Sequence, residues 1–411
     1  MTGAATLVDD FARDAESVED REHLAARLAR KDRLRIKWGV DPTAPDIHLG
    51  HTVPMRALRR WQDEGHTPVI VIGDWTARIG DPTGRSVTRP PLTAAEVDAN
   101  ARTYLDQLFV ILDERRTEVR RQTEWFDPMG LADVIRLATS RTVQQLLQRA
   151  DFSERMAAER PISVHELLYP LLQGYDSVAV DADVEIGGTD QLFNLLAARD
   201  VQRHYGREEP QDVVTFPLLE GLDGVRKMSK SYDNYIGVAE PPSSQYGKAM
   251  SIPDPLIVRY MRLATGMPVA EVDGYAALLA ADGVNPRDAK AALAASIVRQ
   301  FHGEAAAEAA AEEFRRVAGG GGLPDDVPGV ELAAGSRTAL ALAREVTASL
   351  GLQRSNADLK RLFRDQAVRL QAPGATEWRT LEADEVVEAA AGAVLRVGRR
   401  DYARLEAPAD A

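Results

Sequence analysis

The stretch LRIKWGVDPTAPDIHLGHTVPMRALRRWQDEGHTPVIVIGDW, residues 34–75, holds two short apolar runs with an amphipathic segment between them. The runs LRIKWGV and TPVIVIGDW are typical of buried strands. The segment TVPMRALRRWQDEG has the periodicity of a helix, which Gly65 would end. A strand, a helix and a second strand of these lengths form a βαβ unit, so the sequence predicts an α/β fold with a parallel sheet.

In the rest of the chain the predicted secondary structure changes twice, first to mostly helix and then to a small α+β module. An N-terminal helix is predicted at roughly residues 7–31, and DVVTFPLLEG reads as a further strand. From YGKAMSI to about residue 318 the pattern is mostly helical, and GGGGLPDDVPG at 319–329 has the composition of a linker. The remainder is predicted to be a small α+β module that closes with one alternating strand, AVLRVGRRDYARLE.

The amino-acid composition limits the class of protein, the kinds of site and the cellular compartment. The chain has 411 residues, of which 45% are hydrophobic and 27% charged, as in ordinary globular proteins of two to four domains. It has no cysteine, which excludes disulfides, thiol catalysis and thiolate zinc sites. The acidic N-terminus and the lack of a long apolar run predict a cytoplasmic protein with no membrane partner. A net charge of −13 argues against broad, unspecific binding of nucleic acid.

The loop DPTAPDIHLGH, residues 41–51, lies where the carboxyl end of a parallel strand would build a site. Its prolines stiffen the turn, and Gly50 allows close approach of a backbone. His48 and His51 stand three residues apart at the first turn of the predicted helix, where exposed N–H groups favour phosphate. The alternative is a helix cap with two surface histidines. No third ligand accompanies the pair at a zinc-site spacing.

The later stretch GVRKMSKSYDN, residues 224–234, places Lys227 and Lys230 in a polar loop after a strand. Alone, such a run would be a solvated face. Together, HLGH and KMSKS resemble the HIGH and KMSKS signatures of class I aminoacyl-tRNA synthetases.

The sequence is most similar to the bacterial tyrosyl-tRNA synthetases within that class. The resemblance covers GVDPTAPDIHLGHT, IGDPTGRSVTRPPL, YPLLQGYDSVAVDADVEIGGTDQLFNLL, FPLLEGLDGVRKMSKS and SNADLKRLFRDQAVRLQ, the last of which looks like an S4-type RNA-binding module. The segment GTDQ also resembles the tryptophanyl enzyme. Tyr169, Gln173 and Asp176 and the S4-like tail favour the tyrosyl enzyme.

The resemblance implies a domain organisation and a reaction. It implies a Rossmann-like catalytic domain (1–235, with a HIGH-like motif at 42–51 and KMSKS at 227–231), an α-helical anticodon-arm domain (236–318), a linker (319–335) and a small α+β S4-like RNA-binding domain (336–411). The enzyme would activate L-tyrosine with ATP to tyrosyl-adenylate and pyrophosphate. It would then transfer the tyrosyl group to the 3′-terminal adenosine of tRNA(Tyr).

Negative charge grows on the phosphates during activation, so the step needs positioning and N–H or cationic groups. By resemblance, the phosphates and the reaction involve His48, His51, Lys227, Lys230, Thr43 and Gly50. Gly187 and Gly188 would admit the adenosine and Asp190 would bind the ribose. Mg²⁺ would be held mainly by the ATP phosphates, with no tightly bound protein metal site.

The amino acid needs acceptors for its ammonium group, and the resemblance points to Asp41, Asp81, Tyr169 and Gln173. Tyr169 and Gln173 are four apart on a predicted helix and face one side, and Asp176 lies one turn beyond them. Asp176 would accept the phenolic hydrogen bond, and Gln191 would contact the carboxyl group. Without the resemblance, YPLLQGYD would be the edge of an amphipathic helix.

Two basic segments are candidates for contact with tRNA. Arg85 and Arg89 match basic positions of the family, near ATP or the tRNA acceptor end, and their alternative is a solvated loop. From Arg354 to Arg404 there are ten Lys or Arg and eight Asp or Glu. A phosphate-contacting face is predicted there, formed by Lys360, Arg361 and Arg364 on a short helix and by Arg396, Arg399 and Arg400. The alternative is a basic surface on a dimer-stabilising appendage.

Lys37 and Glu185 depart from one branch of the family. That branch has a tyrosine at position 37, which also touches the substrate hydroxyl, and an amide side chain at position 185. Lys37 and Glu185 both fit a second bacterial branch, and the second contact to the phenol stays unassigned. The family implies a homodimer. Two other functions stay open: a synthetase-like paralogue with an RNA-binding or regulatory role, and a ligase for a tyrosine analogue.

Overall fold

The computed structural model describes residues 2–31, 33–42, 47–78, 93–320, 323, 327–332, 335–352, 354–375, 377–388, 390–398 and 401–407. The chain divides into two compact units. The first comprises Met1–Glu240 and Ser251–Leu293, and the second comprises Pro241–Met250 and Ala294–Ala411. No helix in the described ranges is long and apolar enough to cross a membrane.

The first unit is built on a mainly parallel sheet. Its strands are β1 (Ser17–Val18), β2 (Arg35–Val40), β3 (Thr67–Ile72), β4 (Glu118–Arg121), β5 (Val184–Gly188) and β6 (Asp212–Phe216). Within the described residues they lie in the order β1-β6-β5-β2-β3-β4, and only β1 is antiparallel to its neighbour. Every residue of β3 is buried, as expected for a parallel strand covered on both faces. The predicted α/β fold is confirmed.

Helices connect these strands and continue beyond the sheet. Those up to residue 204 are α1 (Thr2–Phe11), α2 (Arg21–Arg30), α3 (Leu49–Asp63), α4 (Ala94–Leu108), α5 (Thr123–Phe126), α6 (Leu131–Ala138), α7 (Val143–Leu146), α8 (Ala150–Ala157), α9 (Val164–Ala179) and α10 (Leu192–His204). The later ones are α11 (Pro242–Ala249), α12 (Ile257–Ala264), α13 (Val269–Ala280), α14 (Pro286–His302), α15 (Glu304–Gly320), α16 (Ala339–Ser349) and α17 (Asn356–Arg364).

The N-terminal segment differs from the single helix predicted at residues 7–31. It forms α1 and α2 with the short strand β1 between them. Asp14 adopts the left-handed conformation, with φ at 65°, which ends helical continuation. Asp20 then caps α2 by accepting a hydrogen bond from the backbone N–H of His23.

The C-terminal part of the second unit is a small α+β module. Its strands are β7 (Gly329–Glu331), β8 (Ser336–Thr338), β9 (Val368–Gln371), β10 (Arg379–Thr380), β11 (Val386–Glu388), β12 (Val394–Val397) and β13 (Asp401–Glu406). Within the described residues, one sheet has the order β10-β9-β12-β13-β7, and β8 pairs with β11. The helices α16 and α17 bury Leu342, Val346, Leu359 and Phe363 in the core of the module.

Two details of this module differ from expectation. The predicted closing strand is an antiparallel hairpin of β12 and β13, because Gly398 follows β12 with a positive φ of 85°. The strand β7 lies inside the predicted linker 319–335 and pairs in parallel with β13. The three domains and the linker given by the sequence, with their boundaries, stay a prediction.

Gly174 provides a test of the packing of α9 on α10. A Cβ atom at Gly174 would lie 2.8 Å from Cγ2 of Val201 and 3.1 Å from Cα of Ala198. We expect Gly174→Ala to lower the midpoint of thermal unfolding. Overpacking costs about 1–3 kcal/mol, which outweighs the gain of about 1 kcal/mol that alanine has over glycine in a helix.

Gly274 in α13 is the matched control, since a Cβ atom there would have no described neighbour within 4 Å. Gly274→Ala should therefore raise the unfolding midpoint. A rise for Gly174→Ala as well would contradict the close approach of α9 and α10.

Candidate active site

The candidate site lies at the carboxyl edge of the sheet where the strand order reverses. The chain runs from β2 outward to β3 and β4, and later places β5 and β6 on the other side of β2. The connections that leave the carboxyl ends of β2 and β5 therefore run in opposite directions and leave a crevice between them. Open α/β sheets bind ligands in such a crevice. Asp41 follows β2, Gly73 follows β3, and a 3₁₀ turn at Thr189–Gln191 follows β5.

The two histidines lie together at the start of α3. His48 is extended and caps the helix, with φ at −119° and ψ at 167°. Nδ1 of His51 accepts a hydrogen bond from the backbone N–H of His48 at 3.2 Å, and the two ring centroids are 3.8 Å apart. A Cβ atom on Gly50 would lie 3.1 Å from the His48 ring, so glycine leaves room for this arrangement.

Both imidazoles are neutral at neutral pH. Burial is the main cause that lowers the pKa of His48 to about 2 and that of His51 to about 4, with smaller contributions from the positive charge of Lys230 and, for His48, from His51. Because Nδ1 of His51 accepts a hydrogen bond, its proton resides on Nε2. The histidines can therefore donate N–H hydrogen bonds to a phosphate, but the positive charge at this site has to come from other groups.

The lysine loop is ordered by a side chain that sequence reasoning missed, Asn234. Its Oδ1 accepts from the backbone N–H of Ser229 at 2.8 Å. Its Nδ2 donates to Asp223 at 3.0 Å and to the carbonyl of Lys227 at 3.2 Å. Asn234 is buried, so these bonds fix the loop from beneath. Its place in the motif SKSYDN was visible in the sequence, but its contacts were not.

Met228 of KMSKS lies beside Gly50 of HLGH, and the chain that follows KMSKS is hydrogen-bonded to the start of α3. The backbone N–H of Leu49 donates to the carbonyl of Ile236 at 3.0 Å, and that of Val238 donates to Ile47 at 2.8 Å. Met228, in the middle of KMSKS, is buried, and its Cβ lies 3.7 Å from the Cβ position of Gly50. Residues almost 180 positions apart thus border one space, as the resemblance implied.

Lys227 is paired with Asp190, which the sequence assigned to the ribose. The distance from Nζ to Oδ2 is 2.8 Å, and the side chains are 46% and 28% exposed. Pairs this exposed contribute about 0–1 kcal/mol, so a ligand can separate them. Gly188 is needed beside the pair, because a Cβ atom there would lie 2.7 Å from Oδ1 of Asp190 and 2.8 Å from Leu218.

Asp41 and Tyr169 form the first part of the predicted amino-acid pocket. The hydroxyl of Tyr169 donates to Asp41 at 2.8 Å, and the hydroxyl of Thr76 lies 2.9 Å from the other carboxylate oxygen. A Cβ atom on Gly73 would lie 1.9 Å from Asp41, so only glycine fits there. Gln173 is partly buried one turn further along the continuous helix α9, where residues four apart lie on the same side.

Asp176, on the same helix as Tyr169, is buried, with 1% of its surface exposed. Each carboxylate oxygen accepts one hydrogen bond, from Gln122 at 2.8 Å and from Trp125 at 3.0 Å. Burial raises the pKa of Asp176 to about 7, although Lys37 and these two donors oppose the rise. Sequence reasoning missed Gln122 and Trp125 because they precede Asp176 by more than fifty residues.

Lys37 and Glu185 are wholly buried and paired, with 2.8 Å between Nζ and Oε1. Nζ of Lys37 also donates to the carbonyl of Gln173 and to the hydroxyl of Ser177, each at 2.8 Å. An ammonium group has three donors, and these three partners use them all. Lys37 therefore braces the pocket wall, and it does not replace a hydroxyl partner for a phenol.

The remaining predicted residues fall in three places. Gln191 caps α10, and its amide oxygen accepts from Asn194 at 2.9 Å. Lys360, Arg361 and Arg364 are exposed on α17 in the second unit. Thr43, Asp81, Arg85 and Arg89 lie outside the described residues, as do Arg399 and Arg400. In the described part of the chain, no three His, Asp or Glu side chains are grouped so as to hold a metal ion.

Comparisons with known proteins show the family of the chain. The family model for class I tRNA synthetases of the W and Y type matches residues 29–318. A tyrosine–tRNA ligase of Thermotoga maritima is 47% identical over 393 residues, which cover 96% of this chain and 95% of the relative. A tyrosine–tRNA ligase of Shewanella oneidensis is 46% identical over 406 residues, covering 98% and 99%.

Solved structures show the same fold. A tyrosyl-tRNA synthetase from Archaeoglobus fulgidus, complexed with L-tyrosine, aligns with a TM-score of 0.61 at 22% identity. The alignment covers 75% of this chain and 99% of that one. A C-terminally truncated mitochondrial tyrosyl-tRNA synthetase of Coccidioides posadasii aligns with a TM-score of 0.62 at 24% identity, covering 76% and 92%.

The raised pKa of Asp176 predicts a pH dependence of stability. Between about pH 4 and the folded pKa of about 7, the folded chain keeps a proton that the unfolded chain releases. This carboxyl therefore lowers the free energy of unfolding as pH rises, by up to about 1.4 kcal/mol per pH unit. Asp176→Asn removes the titration, so the stability of the variant relative to the wild type should improve from about pH 4 to 7. Urea unfolding of both proteins across this range measures the difference, and a difference independent of pH would contradict the buried carboxyl.

Proposed function

The chain belongs to the tyrosine–tRNA ligase family, and on that premise we propose how its residues divide the work of the reaction. The enzyme activates L-tyrosine with ATP to tyrosyl-adenylate and then transfers the tyrosyl group to tRNA(Tyr). The observation that carries the assignment of residues is the approach of Met228 in KMSKS to Gly50 in HLGH at the carboxyl edge of the sheet.

ATP is proposed to bind with its phosphates at the start of α3. His48 and His51 are neutral there and donate N–H groups to the phosphate oxygens, and Gly50 keeps the approach open. Lys227 and Lys230 supply the positive charge, which matters most as charge develops towards pyrophosphate. Gly188 and Asp190 border the adenosine. Thr43 adds a hydroxyl, and Mg²⁺ enters with the ATP phosphates, since it retains several waters and rarely uses an all-protein cage.

Tyrosine is proposed to bind between β2 and α9. Its ammonium group is received by Asp41, Tyr169 and Gln173, together with Asp81, and Gln191 contacts its carboxyl group. Asp41 is already oriented by Tyr169 and Thr76, so the acceptor is in place before the substrate arrives. This holds the carboxylate nucleophile of tyrosine facing the α-phosphorus.

Asp176 is proposed to receive the phenolic hydroxyl. A carboxylate oxygen has two acceptor positions, so each oxygen of Asp176 retains one beyond its bond to Gln122 or Trp125. Phenylalanine would leave this buried acceptor without its partner, and an unsatisfied buried polar group is costly. Lys37 and Glu185 hold the surrounding wall and complete no bond to the substrate.

The tRNA is proposed to contact the exposed cations of α17, Lys360, Arg361 and Arg364, in an S4-like domain at 336–411. Arg85 and Arg89 are proposed to lie near ATP or the acceptor end. Residues 1–235 would form the catalytic domain and 236–318 the anticodon-arm domain, followed by the linker at 319–335.

A homodimer in the cytoplasm is the proposed form of the enzyme. Several large apolar side chains on α6, α7 and the start of α9 are exposed, which is unusual for a free surface. They are Leu131 at 77%, Ile135 at 57%, Val143 at 56% and Val164 at 76%. A second copy of the chain would cover them.

The tyrosine assignment is tested by Asp176→Ala. Tyrosine-dependent ATP–pyrophosphate exchange should lose kcat/KM sharply, while exchange with phenylalanine changes much less. The ratio of the two kcat/KM values should fall at least roughly tenfold, which corresponds to one hydrogen bond of about 1.4 kcal/mol. Asp63→Ala, at an exposed carboxyl, is the control and should keep the ratio. An unchanged ratio in folded Asp176→Ala protein would remove Asp176 from the pocket.

The tRNA assignment is tested on α17 by replacing Lys360, Arg361 and Arg364 together with glutamine. Loss of phosphate contacts should raise the KM for tRNA and flatten its dependence on salt, and tyrosine-dependent pyrophosphate exchange should stay as in the wild type. The single variant Arg361→Gln should weaken charging more than Arg344→Gln, an exposed arginine on α16. Equal charging by the triple variant and the wild type would exclude this face from the tRNA contact.

A further inference from the structure

The first unit contains a second cavity, of about 580 Å³, that the proposed reaction does not use. It is bordered by the loop after α1, by α3, by the end of β6, and by α12 with the segment leading into α13. This volume is within the range of small-molecule sites. None of its lining residues belongs to the sets proposed for ATP, tyrosine or tRNA.

The cavity is strongly basic on one side and apolar on the other. Four arginines line it, Arg13, Arg56, Arg60 and Arg262, with Asp14 as the one carboxylate in its lining. The lining thus carries a net charge of about +3, although the chain as a whole carries −13. The apolar wall includes Phe216, Val53, Leu263 and Met267.

Arg56 and Arg60 are partly buried and lack the close ion pairs that two fully buried arginines have. Arg27 is paired with Asp212 at 2.6 Å, and Arg149 with Asp151 at 2.6 Å. By contrast, Arg56 and Arg60 form no ion pair with any described residue. Asp14 acts on both guanidinium groups from beyond ion-pair distance, as Glu64 and Asp10 do on Arg60, so an anion bound in the cavity would be the first close counter-charge of either arginine.

The hydrogen bonds of the two arginines leave donors for a ligand. Nη2 of Arg56 donates to the carbonyl of Ala264 at 3.1 Å, and Nη2 of Arg60 donates to the carbonyls of Phe11 and Arg13. Nη1 of each forms no hydrogen bond with a described residue and is the donor left for a ligand, whereas Nε of each is also unpaired but is enclosed by the protein. Burial lowers the pKa of Arg56 to about 10 and also lowers that of Arg60, and both stay charged at neutral pH.

The other two arginines lie nearer the solvent. Arg13 is 44% exposed with Asp10 at 3.5 Å, and Arg262 is 46% exposed with Asp273 at 2.6 Å. Their guanidinium groups can turn towards a ligand at small cost, because exposed pairs are weak.

We propose that this cavity binds a small phosphate monoester with an apolar or aromatic body, at a site separate from the active site. Guanidinium groups form paired hydrogen bonds with phosphate oxygens, and a dianion matches the net charge of the lining better than a carboxylate does. The wall of Phe216, Val53, Leu263 and Met267 receives the body of the ligand.

Isothermal titration of the full chain with phenyl phosphate, in a buffer free of phosphate, tests the proposal. The wild type should bind, and Arg56→Gln should lose this site or weaken it at least tenfold. Arg59→Gln is the matched control: it is on the same helix, removes the same charge and lies outside the cavity lining, where it pairs with Asp63. Its affinity should equal that of the wild type.

Three further arms make the result decisive. Arg262→Gln changes a half-exposed side chain that does not endanger folding, and it should weaken binding several-fold. Inorganic phosphate should bind less tightly than phenyl phosphate because it lacks the apolar body, and benzoate less tightly because it carries one charge. If benzoate bound as tightly as phenyl phosphate, the phosphate assignment would be overturned. Absence of binding to the wild type, or equal binding to the wild type, Arg56→Gln and Arg262→Gln, would overturn the site itself.

Discussion

The buried ion pair between Lys37 and Glu185 is the interaction on which the arrangement of the site depends. The two residues are register partners on β2 and β5, the strands that flank the crevice. The same ammonium group holds the carbonyl of Gln173 and the hydroxyl of Ser177, so it also fixes α9 against the sheet. Removing one partner of a buried pair leaves an uncompensated charge, which costs about 3–5 kcal/mol. The pair therefore helps to fix the position of α9, the helix that supplies Tyr169 and Asp176, relative to β2 and β5.

Much of the fold follows from local patterns in the sequence. The βαβ unit was predictable because β2, α3 and β3 each have a distinct periodicity and β3 is apolar throughout. The break between α1 and α2 was not, since it depends on a left-handed backbone at Asp14, which aspartate adopts without a distinctive pattern. The hairpin of β12 and β13 was predicted as one strand because the alternation of apolar and polar residues continues across the turn.

The site was predictable in its residue types but not in its electrostatics. The motifs HLGH and KMSKS predicted that histidines and lysines meet at one site, and the structure places Met228 of the second motif beside Gly50 of the first. Whether His48 and His51 carry charge depends on burial, which neighbours distant in sequence determine. The supports Asn234, Gln122 and Trp125 are likewise defined by tertiary contacts alone.

The pairing of Lys227 with Asp190 has a consequence for which molecules can occupy the nucleotide side of the crevice. An incoming phosphate that draws Lys227 away leaves a half-buried carboxylate without its counter-ion. A ligand that also offers ribose hydroxyls to Asp190 compensates both partners at once. Inorganic phosphate, and pyrophosphate left behind after the reaction, compensate the lysine alone. The mutual neutralisation of Lys227 and Asp190 would thus discriminate between a whole nucleotide and its fragments.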